Sequence, residues 1–559
     1  MKIVSLISLM FLGGYLYAAH DTTKIVFFLD SNIQQYKGLE WHRMMQKIPR
    51  GNYKKAILQI DLGCATYGCC AWDYTYRGFF SKKINDTTYE DIEVARLITP
   101  YSSFMRRGKN GYDSTWEHPY RYDVTDYLSW IQDSLIYSAH TGGWDNKGHF
   151  GFKHTVTLYL IKGDQPQTSS SVIPIYQNAY RYLDSFQFDT LTKGYHLRWT
   201  PEDRYAKFRM IFTGHDQQGE FSPVRFYLRV NGQNVFQKRL WKTDCDQNAI
   251  QPQSGTWIFS RCNWCPGEKV KEVEVDISTY MKLGDNEIDI ALGKPETKDS
   301  LIQANYLIEG DIIRFNKKPA CDVALLDIVA PSSDPNYKLF NPICRSPKVK
   351  IKNMGHRDID QAIISYWVEN GKPEEYVWTG HIRPYQDTIV SLGNMDFRAI
   401  KTGSPFYTSL KQSKNDIAIC PDTLVSRVNH SDIFYTDKLV LEVSTSNDSS
   451  TNSLQIFSLE KGNIIHSNSF FNNAKTYRDT IHVHTGCHEL TFTDYDKNYE
   501  CGDGLSFWYS SMVEKKVSGI FKIYDGHSGR LLKVFNPDFG GKITYQFRIE
   551  KDINEKKGY

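Results

Sequence analysis

The amino-acid sequence predicts an all-β chain assembled from sandwiches. Apolar and polar residues alternate over short runs: Val224, Phe226, Leu228 and Val230 share one side, as do Val273, Val275 and Ile277, then Ile288, Ile290 and Leu292, and near the end Ile543, Tyr545, Phe547 and Ile549. A period of two over short runs marks half-buried strands. Turn signals such as Asn231-Gly232 separate the runs, and long helical periodicity is scarce. Many short strands without helices favour sandwiches.

A chain of 559 residues has room for about three or four domains. Lys2, the apolar run 3–16 and Ala18-Ala19 read as a secretory signal peptide over residues 1–19. The run is short for a membrane span, and no cysteine follows it to carry a lipid. Polar, proline-bearing stretches at 163–171 and 331–335 read as linkers, although the second could be a loop inside a domain beginning near Pro319. A further break falls near Ser431. The expected units are a first sandwich over 22–165, a second over 172–318, an Ig-like sandwich over 319–430 and a C-terminal sandwich over 431–559. The Ig-like unit should hold strands near 323–329, 349–352 and 363–368. The C-terminal unit is a candidate binding module. No later stretch is apolar and long enough to cross a bilayer, so an exported protein is expected, whether periplasmic, cell-surface or extracellular.

Net charge is +3, from 67 basic and 64 acidic residues. With no basic stripe, nucleic acid is not an expected partner. Aromatic residues make up 14% of the chain, 36 of them Tyr, which suits stacking on carbohydrate and equally suits a β-rich secreted protein. Eleven cysteines in an exported chain point to disulfides and leave at least one thiol over. Cys262 and Cys265 form a Cys-x-x-Cys pair, but no second pair at zinc-site spacing accompanies it, so no metal is assigned. Cys487 and Cys501 read as a strand pair closed by a disulfide, while Cys321, Cys344 and Cys420 stay unassigned.

The strand-like run 56–62 leads into Gly63-Cys64-Ala65-Thr66-Tyr67-Gly68-Cys69-Cys70-Ala71-Trp72-Asp73. A Cys64–Cys69 disulfide would close a tight loop and fix the start of the next strand. Such a loop is either purely structural or a way to hold a carboxylate base and an aromatic face beside a sugar.

This run resembles the first catalytic motif of the peptide-N-glycosidase F family. Matching stretches follow in order: Ala95-Arg96-Leu97-Ile98-Thr99-Pro100-Tyr101, Tyr122-Asp123-Val124-Thr125-Asp126-Tyr127, Gly214-His215 before Gly219-Glu220-Phe221, the strand 224–232, and Trp257 through Gly267 with Arg261 inside it. The resemblance covers roughly residues 25–318. It implies two eight-stranded jelly rolls side by side, with the active site where they meet. Asp73 would come from the first roll, and Glu220 and Arg261 from the second. The implied reaction hydrolyses the amide between an Asn side chain and the innermost GlcNAc of N-linked glycans. Asp73 would orient and deprotonate water, Arg261 would pair with the carboxylates and help position the amide, and Glu220 would assist the leaving amine. Read without the resemblance, Glu220 is a solvated surface carboxylate and Arg261 a structural ion-pair partner. N-glycosylated proteins and glycopeptides are the implied partners, acted on by a monomer with no cofactor.

Trp72, Trp144 and Trp264 are candidate sugar-facing or rim aromatics, although a lone Trp is commonly core. Family members carry a Glu two positions before the Trp at 144, where this chain has Gly142, so His140 or Asp145 is a candidate stand-in. The resemblance also implies a Cys245–Cys265 disulfide. Ser222 replaces a cysteine of the short bridge that often flanks the Glu. Cys70 and Cys262 lie beside candidate catalytic positions, which suggests a bridge between the two sandwiches. Two competing readings remain. Copper monooxygenases of the peptide-amidating type share the paired jelly-roll plan and need His and Met ligands, for which His482-Val483-His484 in the last unit is the nearest candidate. A glycan-recognising surface protein without activity would keep the Trp residues and lose Asp73, Glu220 or Arg261, yet all three are present.

Overall fold

The computed structural model describes residues 21–34, 38–66, 68–102, 115–143, 151–164, 169–182, 194–299, 302–413, 417–445, 451–471, 475–497, 500–505 and 519–551. The expected signal peptide lies outside the described residues. Among them the chain is nearly all strand, arranged in eight sheets.

The first sandwich contains β1 (Thr22–Gln34), β2 (Gly38–Lys47), β3 (Tyr53–Cys64), β4 (Thr75–Lys83), β5 (Tyr89–Ile98), β6 (Glu117–Asp123), β7 (Ser134–Gly143) and β8 (Gly151–Lys162). Its sheets run β1-β8-β3-β6 and β2-β7-β4-β5, the interleaved order of a jelly roll. The second contains β9 (Ser169–Tyr182), β10 (Tyr195–Trp199), β11 (Tyr205–His215), β12 (Val224–Val230), β13 (Gln233–Leu240), β14 (Val273–Asp276), β15 (Gly284–Leu292) and β16 (Ala304–Phe315). Its sheets, β14-β11-β16-β9 and β10-β15-β12-β13, repeat that order. Alternation explains the cores. Ala56, Leu58, Ile60 and Leu62 of β3 are buried in the first core, and Val224, Phe226, Leu228 and Val230 of β12 in the second. Each large apolar side chain withdrawn from water contributes roughly 1.5–3 kcal/mol.

The third sandwich sets β17 (Val323–Ala330), β18 (Lys348–Asn353) and β21 (Asp387–Ser391) against β19 (Ile359–Val368), β20 (Glu374–Ile382), β22 (Pro405–Ser413) and β23 (Thr423–Arg427). This three-on-four pattern is Ig-like. Residues 331–335 fall between β17 and β18, inside this sandwich. The fourth sets β24 (Asp432–Phe434), β26 (Thr451–Ser458), β27 (Asn463–Phe471), β29 (Gly486–Tyr495) and β32 (Lys542–Ile549) against β25 (Lys438–Ser444), β28 (Thr476–His482), β30 (Ile520–Asp525) and β31 (Leu531–Phe535).

The two jelly rolls are joined through backbone and buried charge. The end of β5 pairs with the second roll: Ile98 N donates to Glu268 O at 3.1 Å, Val270 N to Arg96 O at 2.9 Å and Gly267 N to Ile98 O at 2.9 Å. Arg96, fully buried, makes a two-pronged contact to Glu93 at 2.6 and 2.8 Å and crosses to Thr213 Oγ1 at 3.0 Å and Leu307 O at 2.7 Å. Arg77 also pairs with Glu93, at 2.6 Å. The third sandwich docks on both rolls. Lys352 reaches Glu274 at 2.5 Å, His356 stacks on Tyr205 with ring centroids 3.9 Å apart, and Lys54 pairs with Asp422 at 2.8 Å.

The cysteines correct two expectations. Disulfides join Cys64 to Cys69 and Cys245 to Cys265, and also Cys321 to Cys420 and Cys344 to Cys487. Cys487 therefore does not pair with Cys501. Cys487 begins β29, whereas Cys501 bridges to Asp496 beyond its far end. At about 3.3 Å per residue the two stand roughly 30 Å apart, far beyond disulfide reach. Cys70 and Cys262 do not bridge either, because Cys70 is buried in the first core and Cys262 in the second. The Cys262 thiol faces Leu240 O at 3.4 Å.

Candidate active site

Asp73 lies in the connection from β3 to β4, between the Cys64–Cys69 bridge and Thr75. Thr99 staples that connection: its Oγ1 donates to Trp72 O at 3.1 Å and accepts from Tyr74 N at 2.7 Å. Glu220 lies in the equivalent connection of the second roll, from β11 to β12, at the end of the one-turn helix α1 (Gln217–Glu220). Asp216, just before α1, has φ 61° and ψ 170°, a backbone conformation that costs on the order of 1–3 kcal/mol in a non-glycine residue. A second pair of equivalent connections completes the site. Tyr101 follows β5, and Arg261 lies between β13 and β14.

Close approach brings these segments together. Cys262 N donates to Glu220 O at 2.9 Å and Gly214 N to Cys262 O at 3.3 Å. A side chain at Gly214 would overlap Gly219 and Cys262. Arg261 is fully buried and spends its fork on three partners: Nε on Glu220 Oε1 at 2.7 Å, Nη1 on Phe259 O at 2.8 Å and Nη2 on Thr256 Oγ1 at 2.7 Å. Thr256 Oγ1 lies 3.1 Å from the Tyr101 hydroxyl, and Tyr101 lies close enough to Asp73 to favour its charged form. Gly255, at φ +65°, lets the chain pass the Tyr101 ring, since a Cβ there would come 2.5 Å from Tyr101 Cδ1.

The structure thus brings Asp73, Glu220 and Arg261 into one cluster. Arg261 pairs directly with Glu220, and its charge also reaches the Asp73 carboxyl. Burial pushes Asp73 up to about 7, the neighbouring Glu220 charge adds to this, and Arg261 and the Tyr101 hydroxyl oppose it. Burial also raises Glu220, with Arg261 opposing. A carboxyl near neutrality can take a proton from water and give it back.

The other expected residues divide. Trp72 is 54% exposed and meets Tyr101 edge-on, centroids 6.4 Å apart, so its face is open beside Asp73. Trp264 is 2% exposed and packed with Ile98, Ile211 and Val270. Its indole N–H donates to Gly214 O at 2.7 Å and its ring lies 5.0 Å from the Arg261 guanidinium carbon. Trp264 therefore backs Arg261 and offers no face to a sugar. His140 stacks on Trp41 with centroids 4.5 Å apart, next to Arg77 on the neighbouring strand. Trp144 and Asp145 lie outside the described residues. Tyr101 and Thr256 received no role from sequence reasoning. Tyr101 closes the 95–101 motif, but its approach to two other segments has no local signature. Among the described residues no three His, Cys, Asp or Glu side chains converge as metal ligands, and His484 hydrogen-bonds Ser458 at 2.9 Å.

The carboxylate–arginine cluster thus stands at the junction of the two jelly rolls. Residues 182–310 match the family model for the C-terminal part of peptide-N-glycosidase F. That stretch, which is similar to this family's C-terminal part, holds Glu220 and Arg261. Among solved structures the chain is similar to PNGase F, a glycosylasparaginase from Flavobacterium meningosepticum, at 20% identity over 53% of this chain and 96% of that one, TM-score 0.41. It is similar to a peptide-N(4)-(N-acetyl-beta-D-glucosaminyl) asparagine amidase at 20% identity, over 53% and 97%, TM-score 0.41. It is also similar to PNGF-II at 18% identity, over 53% and 66%, TM-score 0.42. A search of curated proteins finds no match.

Proposed function

We propose that the chain hydrolyses the amide joining an Asn side chain to the innermost GlcNAc of N-linked glycans, releasing the glycan and leaving Asp. The observation that carries this reading is the meeting of Asp73 from one jelly roll with Glu220 and Arg261 from the other, the latter two inside the stretch that matches the family model.

The geometry suggests a division of labour. Asp73, ionised above about pH 7, accepts a proton from water as the water oxygen attacks the amide carbon. Arg261 is fully buried, so it acts from behind: it fixes Glu220 and supplies positive potential for the developing oxyanion. Glu220, held on Arg261 and partly exposed, orients the departing nitrogen, which receives the proton that Asp73 took from water. Water is thereby added across the C–N bond, giving a carboxylate on the peptide and an amino sugar. The open face of Trp72 supplies a stacking surface for the sugar. The four disulfides suit an exported protein, and N-glycosylated proteins and glycopeptides are the proposed substrates.

The test is to incubate an N-glycopeptide with the protein in heavy-oxygen water and weigh the peptide. Conversion of the glycosylated Asn to singly labelled Asp is the expected result. A peptide keeping one GlcNAc would replace amidase with glycosidase chemistry, and an unchanged glycopeptide would favour a glycan-binding protein.

A further inference from the structure

The C-terminal sandwich lies far from the jelly rolls in sequence but touches the loop that carries Arg261. Gly502 N donates to Asp246 Oδ2 at 3.0 Å, and Gly541 N donates to Asp246 O at 2.9 Å. Asp246 is 7% exposed and directly follows Cys245, whose disulfide to Cys265 ties down both ends of the stretch around Arg261. Gly540 passes so close to Trp257 that a Cβ there would sit 2.9 Å from the indole. One buried apolar cluster then contains Cys501 of the C-terminal sandwich, Trp257 and Ile258 of the Arg261 loop, and Tyr101 of the first roll. Tyr101 is the residue whose hydroxyl lies 3.1 Å from Thr256 Oγ1, the group that accepts from Arg261 Nη2.

We infer that the C-terminal sandwich is a positioning part of the candidate active site: residues 501–502 and 540–541 grip Asp246 and Trp257, and through them hold Tyr101 on Thr256 and Arg261 on Glu220. This rests on the amidase reading of the site. The shape of the contact argues for a dedicated grip. Two backbone N–H groups converge on one buried aspartate, and glycines stand where side chains would collide with it: a Cβ on Gly541 would overlap the Asp246 carboxylate. Side chains on either flank of a reacting centre must be held within a fraction of an ångström for full rate, so a loosened support lowers turnover more than binding. The groups facing Asp73 are Glu220, Arg261 and Tyr101, and Asp216 faces Glu220. Of these, Tyr101 is the one that shares a buried cluster with the C-terminal sandwich.

The experiment uses the full chain with Asp246→Ala, Asp246→Asn, Gly541→Val, and Ile523→Val as a control in the core of the same sandwich, away from the contact. Glycopeptide turnover is followed against pH, and hydrogen exchange is read in segments 99–102 and 254–262. In Asp246→Ala and Gly541→Val, kcat is expected to fall about tenfold with KM within about twofold. The acidic limb of the pH profile should move upward as Tyr101 moves away from Asp73, and exchange should rise in both segments. Asp246→Asn, which keeps an oxygen acceptor, should recover most of the rate, and Ile523→Val should leave rate, limb and exchange in place. Unchanged exchange and an unmoved limb in both disruptive variants would overturn the inference, and so would equal effects in Ile523→Val. Exchange is read without substrate, so wild type that fails to convert Asn to Asp would remove the amidase reading while the grip is still judged by exchange.

Discussion

Two buried carboxylate–arginine clusters sit in the junction between the jelly rolls, and they treat their carboxylates differently. At the first, Glu93 receives both Arg77 and Arg96. Burial alone would raise Glu93, but the two guanidinium groups overcome it and hold the carboxyl below its ordinary range. At the second, Arg261 pairs with Glu220 and acts on Asp73 only through its charge, and both carboxyls are raised. Two cations bonded to Glu93 make a structural lock, while Glu309 beside it, 3.6 Å from Arg77, is held up by burial. One cation for two carboxylates leaves a proton-exchanging group near neutrality, which suits catalysis and weakens the fold locally.

The comparison breaks most visibly at Asp73. Asp73→Asn removes the proposed base and should lower kcat/KM by about 10³-fold or more, measured by glycan release at matched enzyme concentration. At the lock, Arg96→Met leaves Glu93 facing Arg77 alone and orphans the contacts to Thr213 and Leu307. Breaking a buried pair costs roughly 3–5 kcal/mol, so early melting of the paired rolls is expected by calorimetry.

Titration sharpens the contrast next. The folded Asp73 value of about 7 lies above the ordinary carboxylate value near 4, so the folded state binds an extra proton between those limits. Its contribution to stability is therefore lost as pH rises from about 4 to 7 and stays constant above, while kcat/KM should climb through the same upper limit. Asp73→Asn should flatten this part of the stability profile and raise the melting temperature of wild type at pH 8 by ~2–4 °C. The smallest effect belongs to the rim. Trp72→Ala removes an exposed face and should raise KM about three- to tenfold, with kcat and melting temperature unmoved.

These features were not equally legible in the sequence. The strand pattern was, because alternation is local: 224–230 and 543–549 show their inward faces without any partner. The Cys64–Cys69 bridge and the position of Asp73 beside it were legible for the same reason, since five residues separate the cysteines. Pairings between sandwiches were hidden. Cys487 meets Cys344, 143 residues away in another sandwich, and Cys501 joins the buried cluster of Tyr101, Trp257 and Ile258. Trp264 was ambiguous because an indole serves either a core or a rim, and its hydrogen bond to Gly214 O decides for the core. Tyr101 stands inside a visible motif, yet its role depends on Asp73 and Thr256 arriving from two other loops.

The central claim is that Asp73 is the base of an amidase assembled across two jelly rolls. It is tested most directly by comparing wild type and Asp73→Asn in single-turnover cleavage of an N-glycopeptide in heavy-oxygen water, with melting curves taken on the same samples. The account predicts labelled Asp from wild type and none from a variant that melts no lower. Labelled Asp formed by the variant within about tenfold of the wild-type rate would contradict it.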